Sequence, residues 1–334
     1  MLALLAFTAW VVLSSAWSPY PGHLQAPKLA LIVSLGLIFA SAAVDPAARR
    51  GTLAAGLAAF LVLAFLLAIE AFGDLPLNRA SQPAGRPDWI VEGNPGRGVT
   101  VFVAMIWAIA GGLLVWGGRM RAPLAAAALM LGAVLATQFN HFANTIGYGL
   151  GMAAFSFGWA APRLAPALIT AMAALWVLAA PFVTPLLLTD PCLIKALPYS
   201  WAARIAIWDY VCARIAEQPW IGHGLDASRA VADMIDVQGA PTFAVPLHPH
   251  SASLQIWFET GLVGAGLAAL GLVAGGLSLS RAFGKNRAAA AAACGTIAAL
   301  GFIANASYGI WQEWWIATMF VAAALVGAIG IRSA

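Results

Sequence analysis

Long apolar runs separated by short polar breaks dominate the pattern along this chain. Most runs hold roughly 17 to 25 residues with few charges, which is the length a helix needs to cross a bilayer. The pattern predicts ten spanning helices, at residues 1–17, 28–45, 53–73, 98–117, 123–140, 145–161, 166–188, 251–280, 288–308 and 310–331. We therefore expect an all-α, polytopic integral membrane protein with residues 1–334 in one membrane domain. The first run lacks the basic start and the small-residue cleavage site of a signal peptide, so we expect a retained span.

Two connections are much longer than the others. Residues 74–97 are rich in Pro, Gly and Asn, which predicts an irregular surface segment. Residues 189–250 are long enough for a small cap, and within them residues 200–217 have the period of an amphipathic helix. Its predicted apolar face consists of Trp201, Ile205, Trp208, Cys212 and Ile215. Such a helix would rest on the membrane surface or on the helix bundle.

The charge distribution predicts the orientation of the spans. Only 9% of the residues are charged, against about 25% in soluble domains. The short connections on one side carry the basic residues Arg49, Arg50, Arg119, Arg121, Arg163, Arg281, Lys285 and Arg287 with one acid, Asp45. Short basic loops face the cytoplasm, so both termini are expected inside and residues 74–97 and 189–250 outside. The net charge of +4 is scattered over loops and forms no basic stripe, which gives no support for nucleic-acid binding.

The sequence lacks the cysteine and glycine motifs that would indicate a bound metal or nucleotide, so we predict no cofactor. The chain has no Cys-x-x-Cys pair, no Cys/His cluster with zinc spacing and no Walker-type glycine loop. Cys294 falls within an apolar run and is expected to be inert. Cys192 and Cys212 share the large outer segment, where a disulfide is permitted, but sequence does not fix their separation.

The chemistry-bearing groups converge on residues 246–266. His248 and His250 precede the eighth apolar run, and Gln255 and Glu259 lie inside it. An ionisable residue within a span costs at least ~2.5 kcal/mol and marks a functional site by default. In a regular helix His250 and Glu259 would be about 13 Å apart and half a turn out of phase. Glu259 is therefore expected to anchor a neighbouring helix or loop.

Glycines and further cations complete the candidate set. Gly261, Gly264 and Gly266 are interpreted as helix-packing positions. Arg204 lies at the edge of the apolar arc of residues 200–217, where an arginine beside buried aromatics needs an anionic partner.

Three other cationic positions have open interpretations. Arg97, just before the fourth run, either extends to the interface or contacts a phosphate. His141 lies in the tight polar turn between the fifth and sixth runs and is equally compatible with a turn role and with a central cavity. The role of Arg229 is open as well.

Four segments resemble the superfamily of O-antigen ligases and polymerases, which are bacterial envelope glycosyltransferases. They are PWIGHGLD, HPHSASLQIWFETGLVGAG, SSAWSPYP and the Arg-Gly of NPGRGVT, and the likeness is sharp over roughly 200–266. The resemblance implies a transfer that needs no metal and no nucleotide, on the periplasmic face of the inner membrane. The donor would be a glycan on undecaprenyl pyrophosphate, and in ligases the acceptor is a hydroxyl of lipid A–core.

The resemblance also implies roles for individual residues. His250, assisted by His248, matches the family's histidine and would act as general base on the acceptor hydroxyl. Arg204 matches the arginine that meets the pyrophosphate. The family has about twelve spans where ten are predicted here, and TQFNHFANTIG lacks the arginine that the family carries in a middle span. Arg97 or His141 would supply that charge; otherwise the chain is a divergent or inactive member.

Alternative functions differ mainly in the acceptor. An O-antigen or exopolysaccharide polymerase and a protein O-oligosaccharyltransferase would use the same lipid-linked donor. A membrane transporter is the alternative from another class, and its intramembrane polar residues would line a path. Transporters tend to carry paired repeats with broken helices. The polar residues of this chain gather at one face instead, which favours the enzyme.

Overall fold

The structure is a computed structural model that describes residues 2–21, 24–83, 85–187 and 191–330. Its α-helices and its two strands are named in chain order. They are α1 (Leu2–Ser14), α2 (Gln25–Ala43), α3 (Arg49–Phe72), α4 (Pro76–Ser81), α5 (Asp88–Gly93), α6 (Gly96–Trp116), α7 (Arg121–Thr137), α8 (Phe142–Ala160), α9 (Ala165–Leu187), α10 (Pro191–Ala196), α11 (Tyr199–Glu217), β1 (Met234–Val237), β2 (Ala240–Phe243), α12 (Ala252–Phe283), α13 (Arg287–Ala306) and α14 (Glu313–Ala328).

The predicted all-α, polytopic membrane architecture is confirmed. Each predicted apolar run coincides with one of the longer helices. Within the described residues, seven helices are long and apolar enough to cross a membrane, and α1 and α14 are apolar but shorter. The total of ten spans stays a prediction.

Two compact units make up the chain. The first unit comprises Met1–Leu35, Thr170–Gly275 and Ala304–Ile316. Its core joins α11 to the start of α12 through Ile207, Val211, Leu254 and Trp257. The antiparallel hairpin of β1 and β2 also belongs to this unit, with Met234 opposite Phe243.

The amphipathic helix predicted at residues 200–217 forms as α11, but its buried side is broader than predicted. Ile207 and Val211, outside the predicted face, are 2% and 0% exposed. The reason is that β1 packs on α11, and its Ile235 joins the same core. The helix is therefore an integral part of the core of this unit.

The second unit comprises Gly36–Ile169, Gly276–Ile303 and Ala317–Ala334. Its centre is α6, where Phe102 and Trp107 are fully buried. Phe102 stacks on Phe60 with ring centroids 4.7 Å apart. A Cβ added at Gly295 would lie 2.8 Å from the ring of Trp107, so glycine makes room for the indole. This is the close packing by small residues that membrane helices use.

The prediction of an irregular segment at residues 74–97 is wrong in part, because these residues are not irregular throughout. They form the short helices α4 and α5. Glu70 at the end of α3 caps α4: its Oε1 accepts hydrogen bonds from the main-chain N–H groups of Leu77 at 2.8 Å and Asn78 at 3.1 Å. A side-chain acceptor for the first N–H groups of a helix is what lets so short a segment become helical.

In the described part of the large connection, the two cysteines do not form a disulfide with each other. Cys192 is exposed, Cys212 is half-buried on α11, and neither is bridged to the other. Burial raises the pKa of the Cys212 thiol to about 12, so this thiol stays protonated at neutral pH.

Candidate active site

The turn that precedes α12 holds His248 and His250 against each other. Their ring centroids are 4.4 Å apart. His250 has a φ of 56°, in the left-handed region that few residues with a Cβ adopt. Its main-chain N–H donates to Nδ1 of His248 at 3.2 Å. Gly309 backs the turn so closely that a Cβ there would lie 3.0 Å from the His248 ring. The turn thus fixes both imidazoles in place.

Hydrogen bonding gives the two imidazoles opposite roles. Nδ1 of His250 lies 2.6 Å from the carbonyl oxygen of Ser307, which can only accept. The neutral ring of His250 therefore carries its proton on Nδ1 and keeps the lone pair on Nε2. Nδ1 of His248 is itself an acceptor, so its proton is on Nε2. Hence Nε2 of His250 can take a proton, whereas Nε2 of His248 can donate one.

Arg204 and His250 bind the main-chain carbonyl groups of two consecutive residues. Nε of Arg204 donates to the carbonyl oxygen of Ala306 at 3.0 Å, and its Nη1 donates to that of Ser200 at 2.6 Å. Its guanidinium carbon lies 5.3 Å from the centroid of the Trp201 ring. Ala306 ends α13, and carbonyls at the end of a helix need partners from outside it. Because Ala306 and Ser307 are consecutive, one chain segment binds the guanidinium and the imidazole side by side.

Helix α11 is also tied directly to the histidine turn. Nε1 of Trp208, one helical turn after Arg204, donates to the carbonyl oxygen of Pro249 at 2.9 Å. An indole with an apolar body and a polar tip suits such a contact between a buried core and a loop. The sequence-predicted pair Arg204 and His250 is therefore brought together by two independent contacts.

Burial and positive charge keep both imidazoles neutral. Burial, followed by the charge of Arg204, lowers the pKa of His250 to about 4, although its bond to Ser307 acts in the opposite direction. Burial, then His250, Arg229 and Arg204, lower the pKa of His248 to about 3. Burial also lowers the pKa of Arg204, but an arginine stays protonated at neutral pH. The cluster therefore pairs neutral imidazoles with a permanent cation.

Acid should inactivate this site only at unusually low pH. Because the pKa of His250 is lowered to about 4, Nε2 stays available well below the ordinary histidine pKa of about 6.5. A reaction that uses Nε2 of His250 as its base should therefore have the acidic limb of its pH dependence below about pH 5. Folding stability should fall between about pH 6.5 and 4, because only the unfolded chain binds these protons there. Measurements of the reaction rate and of unfolding, on purified protein in nanodiscs between pH 4 and 8, check these two expectations. An acidic limb of the rate near pH 6.5 would contradict the first.

Glu259 is the buried anchor of the first unit. It is 0% exposed. Its Oε2 accepts from the main-chain N–H of Asp226 at 2.7 Å and from Nε1 of Trp311 at 2.5 Å. Its Oε1 accepts from the hydroxyl of Ser228 at 2.5 Å and from Nε2 of Gln255 at 3.0 Å. Four donors satisfy the carboxyl group completely, and together they attach two loops to α12.

The loop that Glu259 holds carries Arg229. Asp226 is 3% exposed and has a φ of 59°, and its Oδ1 lies 3.3 Å from Nε of Arg229. Burial raises the pKa of Asp226, while the charge of Arg229 opposes that rise. Arg229 also acts on His248 through its charge. Glu259 thus has an indirect effect on the histidine turn through this loop.

Gln255 joins the other side of the same network. Its Oε1 accepts from the main-chain N–H of Ile310 at 2.9 Å, in the segment that also holds Ser307 and Trp311. The sequence-predicted supporting residues Gln255 and Glu259 therefore bind loops from both flanks of the histidine turn.

Helix α12 is broken at Gly261, which corrects the interpretation of this glycine as a mere packing position. Gly261 has a φ of 64° and a ψ of −165°, which is not helical. A Cβ there would lie 2.5 Å from the main-chain nitrogen of Ile221. Only glycine combines this φ with so close an approach of another backbone.

The backbone of residues 219–224 replaces the hydrogen bonds lost at the break. The N–H groups of His223 and Gly224 donate to the carbonyls of Phe258 and Glu259, each at 2.8 Å. Beyond the break, the N–H groups of residues 262 and 263 donate to the carbonyls of residues 219 and 220 at 2.8 and 3.2 Å. Unpaired backbone groups are very costly away from water, so this segment and the broken helix depend on each other.

Arg97 and His141 lie in the other unit. Arg97 is the second residue of α6, and the ring of His141 packs on its neighbour Gly96, where a Cβ would lie 2.7 Å from Cε1. Nearby, Asn144 is 2% exposed and its Oδ1 accepts from the hydroxyl of Thr100 at 2.8 Å. The structure places these two residues beside each other, in a different unit from His250. Their contact with a pyrophosphate stays a prediction.

Sequence reasoning missed Asn305. Its Oδ1 accepts from the main-chain N–H of Ser253 at 3.0 Å and lies 3.3 Å from Oγ of Ser251. Asn305 therefore caps the start of α12 immediately after the histidine turn. The signal was present, because an asparagine in an otherwise apolar span is costly unless it has a partner.

Comparisons with known proteins agree on one family. Residues 96–269 match the family model described as O-antigen ligase. The chain is 38% identical over 124 residues to "Putative polysaccharide ligase RC0486" of Rickettsia conorii, which is 36% of this chain and 29% of that protein. "Putative polysaccharide ligase" of Rickettsia bellii is 38% identical over 125 residues, covering 36% of this chain and 30% of that protein. The matches span less than a third of the length of these relatives.

Proposed function

Because the chain belongs to the O-antigen ligase family, we propose that it moves a glycan from undecaprenyl pyrophosphate to a hydroxyl of lipid A–core. The observation that carries this proposal is the pair of neighbouring carbonyls that hold Arg204 and His250. This pair sets a proton acceptor beside a permanent cation, which are the two groups that such a transfer requires. The reaction would take place at the periplasmic face of the bacterial inner membrane.

His250 supplies the base. A sugar hydroxyl is a poor nucleophile, and a positioned imidazole accelerates its attack by about 10²- to 10⁴-fold. The oxygen of the acceptor hydroxyl forms a bond to the anomeric carbon of the donor sugar, and Nε2 of His250 takes the proton that this oxygen loses. The bond from that carbon to the pyrophosphate oxygen breaks, and its electron pair leaves with the pyrophosphate. His248 stays neutral and fixes the orientation of His250 through the turn.

Arg204 stabilises the leaving group. A guanidinium presents its N–H donors in a planar fork that matches two phosphate oxygens. Nε and Nη1 of Arg204 are bound to main-chain carbonyls, which fixes the plane of the guanidinium, and Nη2 would donate to the anion. The activated donor already stores the energy of the transfer, so the reaction needs no nucleotide.

Arg229 would add a second positive charge near the turn. It is anchored through its ion pair with Asp226, and its charge acts on His248. A pyrophosphate carries several negative charges, so two fixed arginines would neutralise it better than one.

Replacement of Arg204 tests the proposal. In a strain that lacks this gene and is complemented with Arg204→Ala, we expect polymer-bearing lipopolysaccharide to fall by about 10- to 100-fold, because charged hydrogen bonds contribute about 1.5–3 kcal/mol. Lipid-linked glycan should accumulate at the same time. Arg204→Lys should retain part of the activity, since it keeps the charge and loses the fork. Gel profiles of lipopolysaccharide and extraction of the lipid-linked donor measure both quantities.

Arg214→Ala is the matched control. Arg214 lies on the same helix with its side chain 39% exposed, in an ion pair with Glu217 at 2.9 Å, and its loss should leave the profile unchanged. Long chains reduced to single repeats would instead identify a polymerase. An unchanged profile with correctly inserted Arg204→Ala protein would exclude the proposed enzyme.

A further inference from the structure

A cavity of about 400 Å³ lies in the second unit, between the connection from α8 to α9 and the connection from α12 to α13. It is separate from the histidine turn, which belongs to the first unit. Its lining residues come from two short stretches of chain. They are Ala161, Pro162, Arg163, Leu164, Gly284, Lys285 and Arg287.

The polar part of this cavity is entirely cationic. Arg163, Lys285 and Arg287 line it, and no acidic residue does. Within residues 2–21, 24–83, 85–187 and 191–330, none of these three side chains forms an ion pair. Three neighbouring positive charges repel one another, so the arrangement favours an anion between them.

Two helix ends reinforce the positive field. Helix α9 begins at Ala165, directly after the lining residue Leu164, and α13 begins at Arg287. The first N–H groups of a helix carry a partial positive charge that attracts anions. The two connections approach closely, since a Cβ at Gly284 would lie 3.0 Å from Cγ of Arg163. The cations and helix ends are thus concentrated around one opening.

Leu164 lines the cavity, and Leu168 and Leu277 lie on the helices α9 and α12 that lead away from it. Leu164, Leu168 and Leu277 are 58%, 42% and 44% exposed. Helices α9 and α12 are apolar enough to span a membrane, so the exposed side chains of Leu168 and Leu277 within them face hydrocarbon. The cavity therefore lies where the apolar surface of the spans meets a basic rim.

We propose that this cavity binds the headgroup of an anionic phospholipid, with Arg163, Lys285 and Arg287 around the phosphate and the leucines along the acyl chains. Basic pockets between spanning helices are suited to such headgroups. Free phosphate would use the cations but not the leucines. The bordering apolar surface is therefore what selects the lipid.

Titration of the purified full chain with phosphatidylglycerol, followed by native mass spectrometry, tests the proposal. The double variant Arg163→Gln/Arg287→Gln should bind phosphatidylglycerol about 25-fold more weakly than the unaltered chain, since each basic residue near a membrane surface contributes about five-fold. Phosphatidylcholine should bind both proteins weakly and equally. Inorganic phosphate at millimolar concentration should not displace phosphatidylglycerol. If the double variant does not fold, the single variant Arg287→Gln tests the proposal, and we expect its affinity for phosphatidylglycerol to fall about five-fold.

Arg119→Gln/Arg121→Gln is the matched control. It removes the same charge from another basic connection, outside the cavity, and should change binding by less than about two-fold. An equal loss in both double variants would mean that only general surface charge matters and would overturn the proposal. Equal binding of phosphatidylcholine, or displacement by inorganic phosphate, would overturn it as well.

Discussion

Glycan transfer should fall by about 10²- to 10⁴-fold in His250→Asn, the full contribution of a general base. Asparagine suits this position because it tolerates the left-handed backbone that His250 adopts, with a φ of 56°. Its amide can also donate to the carbonyl of Ser307, as Nδ1 of His250 does. The variant therefore keeps the turn and removes only the proton acceptor. The rate of transfer from purified lipid-linked donor to acceptor is measured in nanodiscs for the variant and for the unaltered chain, and the two rates are compared.

His223→Asn provides the same change at a second imidazole. The ring of His223 packs on Phe258, with centroids 4.6 Å apart, and its Nε2 lies 3.0 Å from the carbonyl of Arg214. It does not belong to the histidine turn, and we expect transfer within about two-fold of the unaltered chain, since a general-base contribution would be larger. Equal activity of His250→Asn and His223→Asn would refute the role of His250.

Replacement of Glu259 should have the largest effect on stability. Glu259→Ala leaves the donors of Asp226, Ser228, Gln255 and Trp311 without their acceptor. Removing one member of a buried, fully paired network costs about 3–5 kcal/mol. We expect the midpoint of thermal unfolding in detergent to fall by at least about 5 °C. Donor turnover should fall too, because the loop with Arg229 loses its anchor.

Glu217→Ala is the matched control for this change. Glu217 pairs with Arg214 near the end of α11 and is 52% exposed, where an ion pair contributes about 0–1 kcal/mol. Its replacement should shift the midpoint by less than about 2 °C. Similar shifts for both alanine variants would mean that Glu259 is not the anchor of the unit.

Much of the architecture could be predicted from periodicity alone. The amphipathic pattern at 200–217 gave α11 within one residue, because a 3.6-residue period depends only on local sequence. The broader burial of Ile207 and Val211 depends on β1, which a local pattern does not contain. The capping of α4 by Glu70 joins nearby residues, but it depends on the positive φ angles of Asp74 and Leu75 between them, which a period does not reveal.

The site was predictable in its residues and not in its geometry. Polar groups at the border of a span pointed to His248, His250 and Glu259 because such groups are costly there. The role of the neighbouring carbonyls of Ala306 and Ser307 as acceptors could not be predicted. Every residue has a main-chain carbonyl, so residue type does not indicate which of them bind a side chain. The same is true of the tautomer of His250, which depends on the partner that its Nδ1 meets.

The interrupted helix α12 limits how members of this family can be recombined. Residues 219–224 supply main-chain partners to both sides of Gly261, so this connection and the span depend on each other. A chimera that exchanges residues 189–250 without residues 252–266 would lose these matched partners. Exchange of both together preserves them, so we expect a folded chimera only when the two segments are exchanged as one piece.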